Sequence, residues 1–218
     1  MIAATRTRAR SGARPGVRLA AISGVVLAVV AAMAVDTKVV RIDAAADAQS
    51  GAFSPAAYGK SEFPKVQSAI DGRAVDVATL AAALAKDPVA ATKQYGVAAS
   101  AGPEFAVKFD GVAEKEDSGV YDVAVDGVPG SVLVRVQTGP AISGTDLRDA
   151  TGTINFGQFT NQIEYQNAGS ALNKEMKKQV LAKVDAAKLA GKRISVVGVF
   201  QWTTPESWLV TPVRLGIP

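Results

Sequence analysis

The 218-residue chain contains neither cysteine nor histidine. Without thiols there is no disulfide, no thiolate nucleophile and no thiolate zinc site; without imidazole there is no histidine general base and no triad built on one. Carboxylates, lysine, tyrosine, hydroxyls and an oxygen-ligated metal such as calcium stay open to chemistry. These gaps point away from an enzyme, and neither a metal nor a cofactor is expected. Acidic residues are missing from residues 1–18, where Arg6, Arg8, Arg10, Arg14 and Arg18 sit among small side chains. Taking those five from 24 basic residues leaves 19 against 20 acidic ones, so the formal charge of +4 belongs to the tail and the remainder carries −1. A near-neutral remainder lacks the basic face that phosphate neutralisation requires, and no nucleic-acid partner is expected.

Residues 19–35 (LAAISGVVLAVVAAMAV) form an uncharged run closed by Asp36. As a helix the run reaches about 25 Å, the short edge of what crosses a roughly 30 Å hydrocarbon core. The arginines ahead of it stay in the cytoplasm, which places the C-terminal part outside. The reading is a single-pass anchor, 19–35, behind a basic cytoplasmic tail, 1–18; the alternative is a cleaved signal peptide, with Ala32, Met33 and Ala34 as the small-residue site and a secreted product. The arginines include no twin pair.

Residues 36–53 read as a linker that opens with a β-prone TKVVRI piece at 37–42. A small helical subdomain is expected over 54–100. Ser54-Pro55 suits an N-cap with proline at the first helical position, and the helix runs past Tyr58 and Phe63 to Ile70, with Pro64 as a point where it can break and Asp71-Gly72 as its stop. Residues 75–95 give a second helical stretch, jointed at Asp87-Pro88, with Gly96 as its C-cap.

From Glu104 the apolar period becomes two. Phe105, Val107 and Phe109 alternate with Ala106, Lys108 and Asp110; after a charged turn at 114–119 Tyr121, Val123 and Val125 alternate with Asp122, Ala124 and Asp126, and 132–137 makes a third strand. Residues 151–156 can add a brief strand. The longest helical pattern spans 159–187 through Phe159, Ile163, Leu172, Met176, Val180 and Val184, ended by Gly191. Two strands, 193–201 and 208–215, follow. Three strands, a helix and two strands is the order of an OB-like antiparallel β-barrel, with the helix between strands 3 and 4. The fold class is therefore α+β: a small helical subdomain followed by an OB-like barrel domain over 101–218.

Side chains that need partners concentrate in 135–173. Arg135, Gln137, Arg148 and Asp149 precede six amides between Asn155 and Asn167, interleaved with Phe156, Phe159 and Tyr165. Arginine, amides and a flanking aromatic are the set that recognises a sugar, because hydroxyls need fixed donors and acceptors while the ring's apolar face lies on an aromatic. The candidate ligand residues are Arg135, Gln137, Arg148, Asp149, Asn161, Gln162 and Tyr165. Read on a strand, Arg148 and Asp149 point to opposite faces and do not pair. The plainer alternative has Asn161, Gln162 and Asn167 capping the helix and satisfying loop carbonyls. Asp146 with Asp149, or Glu164 with Asp149, would be the carboxylate pair of a hydrolase. Gly59-Lys60-Ser61 lacks the upstream glycine of a P-loop. Trp202 and Trp208 flank the 203–207 hairpin, as core packing or as a stacking pair at the barrel mouth.

The segments QTGPAISGTDLRDATG, FGQFTNQIEYQNAGSALN and VFQWTTPESWLVTPVRL, with DTKVV at 36–40 and FPKVQSAI at 63–70, resemble the bacterial family of predicted periplasmic lipoproteins known as domain of unknown function 2291. The resemblance covers nearly all of 36–215. It implies a helical domain beside an OB-like barrel. Members of that family are often encoded beside sugar ABC-transport components, so the resemblance also implies an accessory role at the cell surface, with transporter components or a small carbohydrate as partner. A lipobox cysteine is absent, which leaves membrane attachment to residues 19–35.

Overall fold

The period-two stretch that opens at Glu104 becomes one long strand on which the rest of the sheet is assembled. The computed structural model describes residues 53–218. The basic tail, the expected anchor at 19–35 and nearly all of the linker lie outside the described residues. Among the described residues no helix is long and apolar enough to cross a membrane.

Helix α1 spans Pro55–Arg73, with Ser54 accepting from the Ala57 amide at its N-terminus. It does not break at Pro64. That residue is exposed, so the Lys60 carbonyl deprived of its donor can turn to water. Strand β1 (Val75–Asp76) precedes α2 (Val77–Lys86), and α3 (Pro88–Tyr95) starts at the Asp87-Pro88 joint, where Asp87 Oδ1 accepts from Val89 and Ala90 at 3.0 Å each. The second helical stretch therefore begins two residues later than its composition suggests, because Val75 and Asp76 pair with Val107 and Lys108.

After β2 (Gly96–Val97), β3 runs the full 14 residues of Glu104–Asp117, through most of the charged stretch expected to be a turn. Strands β4 (Val120–Ala124) and β5 (Leu133–Gln137) follow, then a four-residue helix α4 (Asp146–Asp149), α5 (Gln162–Gln179), β6 (Arg193–Gln201) and β7 (Ser207–Gly216). The strand path β3-β4-β5-β7-β6 returns to its start, since β6 pairs with β3 along Glu104–Val112 while β4 takes the far end of β3 beyond Val112. Strands β5 and β7 are parallel; the other pairings in this circuit are antiparallel. For β3 to pass from one neighbour to the other it must bend. Gly111 sits at the change, where a Cβ would lie 2.6 Å from both the Ala124 carbonyl oxygen and Val123 Cγ1. Only glycine fits there.

Inside the circuit Phe105, Val107, Val134, Val136, Ile194, Val196, Val210 and Val213 are buried, and Phe200 stacks on Trp208 at 4.9 Å. Trp208 is thus core. Helix α5 adds Leu172 and Met176 to this core and packs on α1, at a point where a Cβ on Gly59 would come 2.7 Å from the Ala171 carbonyl. The helical pattern read over 159–187 overshoots at both ends. Asn161 caps α5, Phe159 precedes it, Ile163 is 72% exposed, and after Gln179 the chain breaks into short 3₁₀ turns that carry Leu181 into the core. Residues 151–156 form no strand; Thr151 and Gly152 turn the chain out of α4 instead.

Candidate functional site

The segment between β5 and α5 is built outward from Arg148. Helix α4 is a single turn, and on a helical turn successive side chains diverge by about 100° instead of 180°. Arg148 therefore curls back on its own neighbour: Nε donates to Asp149 Oδ1 at 2.7 Å and an Nη to Oδ2 at 2.9 Å. This overturns the strand-based expectation that the two do not pair. The guanidinium lies 3.6 Å from the Tyr165 ring centroid and donates to the Tyr165 carbonyl. Thr145 Oγ1 donates to Asp149 at 2.7 Å, and the Tyr165 hydroxyl does so at 3.3 Å. Four donors thus converge on one carboxylate, and Arg148 is buried. This knot ties α4 to α5. Burial, then the Asp149 charge, pushes the Tyr165 hydroxyl above its ordinary value.

A second network lies beneath it. Gln137, buried on β5, donates to Thr211 Oγ1 at 2.8 Å and accepts from the Ser143 amide at 3.0 Å; Thr211 donates to Asp146 Oδ2 at 2.9 Å. Desolvation pushes the Asp146 carboxyl up to about 6 despite that bond. Glu104, 1% exposed, accepts from Gln201 Nε2 at 3.0 Å, and its other oxygen has no partner. Burial, with the Asp146 and Asp149 charges adding to it, raises Glu104 to about 9. Glu104 is therefore a neutral acid at pH 7. The sequence offers no sign of it, since it reads only as the first residue of an alternating strand.

The seven sequence-derived candidates do not form one cluster. Arg148, Asp149 and Tyr165 meet; Gln137 connects to them only through Thr211, Asp146 and their neighbours on α4. Arg135 stands apart, bonded to Ser207 Oγ at 2.8 Å with its Nε unpartnered. Asn161 accepts from the Glu164 amide as the α5 cap, and Gln162 is exposed beside it.

The concave surface lies next to the knot. A cavity of about 500 Å³ is lined by Phe53, Tyr58, Glu62, Thr153, Gln158 and Phe159, with Ile154. Three of its rings touch, tilted or edge to face: Phe53 to Tyr58 at 5.3 Å, Phe53 to Phe159 at 5.4 Å and Tyr58 to Phe159 at 5.6 Å. Phe159 also meets Tyr165 at 5.4 Å, so the Arg148 knot braces the aromatic wall. Desolvation, followed by the Glu62 charge, raises the Tyr58 hydroxyl. Gln158 is held by the Asn155 amide and the Thr153 carbonyl. Sequence reasoning found Phe159 and the amides. It missed Tyr58 and Glu62, because nothing in α1 announces that it lies against the loop ahead of α5.

A family model described as predicted periplasmic lipoprotein (DUF2291) matches residues 25–216. The chain belongs to the DUF2291 family. Among solved structures, the DUF2291 chain is similar to an OB-fold protein from Thermotoga maritima, with a TM-score of 0.60 and 20% identity over 76% of this chain and 99% of that one. That likeness fixes the fold as OB-type and agrees with the strand circuit. No curated protein matches the chain.

Proposed function

We propose that this DUF2291 protein is a non-enzymatic, membrane-anchored extracytoplasmic accessory protein that holds a small uncharged carbohydrate in the aromatic cavity, in the service of a sugar ABC transporter. The cavity carries the proposal. Tyr58 and Phe159 supply apolar faces for a pyranose ring, while Glu62, Thr153 and Gln158 supply the acceptors and donors its hydroxyls need, within the size range of small-molecule sites. The family description supports an extracytoplasmic setting. With no cysteine in these 218 residues, the 19–35 run is the segment available for attachment. Arg148 and Asp149 then act as the brace behind the wall. The saturation of Asp149 by four donors also supports a binding role over a hydrolase built on that carboxylate.

A second reading is favoured by Phe156, 50% exposed and against the Tyr165 ring, and by Ile163, 72% exposed in the first turn of α5. They suit a protein face, as in an assembly partner of a membrane complex. A thermal-shift screen of the full chain, in a polyoxyethylene detergent that carries no sugar headgroup, separates the two. A ligand at about 100 times its Kd adds roughly 2.7 kcal/mol. At about 2 to 4 °C per kcal/mol, that is a rise on the order of 5 to 10 °C. A rise with one neutral sugar that Tyr58→Ala and Phe159→Ala abolish supports the binding site. A flat screen, with a permease crosslinked through Phe156 or Ile163, supports the assembly partner.

A further inference from the structure

A larger open groove of about 740 Å³ lies between α5 and the loop over residues 140–145. Its apolar wall is Pro140, Ala141 and Ile142, and its opposite wall is the face of α5 that carries Lys174, Lys177 and Lys178. Spacings of three and four residues place these lysines together on the helix surface. None of the lining residues is acidic. The described residues as a whole hold 17 basic and 17 acidic side chains, so three lysines against the single carboxylate of Glu175, which pairs with Lys178, leave a local excess of two positive charges in a neutral domain. Two of the three are restrained. Lys177 donates to the Pro140 carbonyl across the groove, and Lys178 is paired with Glu175 at 2.6 Å.

The floor of the groove is polar and fixed. Asn173, 8% exposed, donates to the Gly144 carbonyl at 3.0 Å, and its Oδ1 makes no hydrogen bond among the described residues. Ser170 lines the groove beside it with a hydroxyl, and Thr145 Oγ1, whose proton goes to Asp149, is left as an acceptor. Ammonium groups at one wall, with amide and hydroxyl groups at the floor, form a set that takes an anionic head and the hydroxyls attached to it.

We propose that this groove is a second site, distinct from the aromatic cavity, and that it binds a phosphate ester carrying hydroxyl groups. Such a phosphate can belong to a soluble sugar phosphate or to a glycerophospholipid headgroup. The chemistry at the lysines is the same.

Lysine acylation footprinting read by mass spectrometry tests this on the full chain. The protein is placed in phosphatidylcholine vesicles, with and without phosphatidylglycerol, and challenged with inorganic phosphate, glucose 6-phosphate or glucose. Lys60 and Lys93, on α1 and α3, serve as controls. If the ester is soluble, glucose 6-phosphate slows acylation of Lys174 and Lys178 at least five-fold, glucose does not, and the controls are unchanged. If it is lipid, the same protection appears on adding phosphatidylglycerol and not with glucose 6-phosphate. Unchanged rates at Lys174 and Lys178 in every arm overturn the proposal, as does protection of equal size at Lys60 and Lys93. Lys174→Gln is expected to weaken calorimetric binding of the protecting ester about ten-fold, and Lys174→Arg to retain it. Tyr58→Ala leaves this affinity intact, so failure of the aromatic cavity and failure of the groove are told apart.

Discussion

Glu104→Gln should stabilise the protein, and increasingly so as pH rises. The carboxyl titrates near 4.5 in an unfolded chain and near 9 in the fold, where it is buried beside Asp146 and Asp149. Between those values the unfolded chain releases a proton that the folded chain keeps. Each pH unit then costs about 1.36 kcal/mol of folding stability. From pH 5 to pH 8 the wild type therefore loses about 4 kcal/mol relative to a variant without this proton. Glutamine keeps a carbonyl for Gln201 Nε2 and cannot ionise. Denaturant unfolding of both proteins at pH 5, 6.5 and 8 reads the difference directly, because the titrations they share cancel. Near-equal stability at pH 5 and a gap of several kcal/mol at pH 8, worth roughly 8 to 16 °C in Tm, is the expected result. A gap that stays constant across the three pH values would refute the reasoning.

Asp146→Asn should behave likewise over a lower window: its carboxyl is raised from 3.8 to about 6, so the stability gap opens between those pH values, by about 3 kcal/mol, and stays level above them. Equilibrium unfolding at pH 3.5, 5 and 7 checks this. Arg148→Met leaves Asp149 buried without its fork and should cost about 3 to 5 kcal/mol in denaturant titration. Arg148→Lys should recover only a small part, since an ammonium can neither bridge both oxygens nor lie flat on Tyr165. Gly119→Ala should lower the yield of folded protein more than any cap mutation, because φ there is +84° and a Cβ would fall 1.3 Å from the Gly139 oxygen. By comparison, Asp87→Ala at the α3 cap should cost about 1 kcal/mol.

The strand order was legible because alternation at Phe105–Phe109 and Tyr121–Val125, and the apolar runs near 196 and 210, each match a half-buried or buried strand. Its failures have local causes. The charged residues Glu114 to Asp117 extend β3 instead of turning, because Glu116 and Asp117 pair with Tyr121 and Val120 past an irregularity at Glu114 and Lys115. Phe159 and Ile163 have helical spacing without helical burial: one is held by aromatic neighbours ahead of the cap, the other faces outward. The polar segment was correctly singled out as dense in partners. Spacing could not show that Arg148 and Asp149 satisfy each other, nor that the open surfaces near them are lined by residues from α1 and by the lysines of α5.

The long strand β3 has one more consequence. Its first half is held on one edge by β6 and on the other by β1 and β2, the short strands that bracket α2 and α3. Helix α1 is fastened to the same body by Gln67 bonding the Val213 carbonyl and Asp71 pairing with Arg214. Helices α2 and α3 therefore cannot swing away from the strands as a lid on a hinge without breaking sheet hydrogen bonds, nor α1 without losing its Gln67 and Asp71 contacts. Under the proposed binding role, a sugar entering the aromatic cavity, walled from one side by α1, meets a fixed frame, so its affinity would carry no cost for closing a jaw.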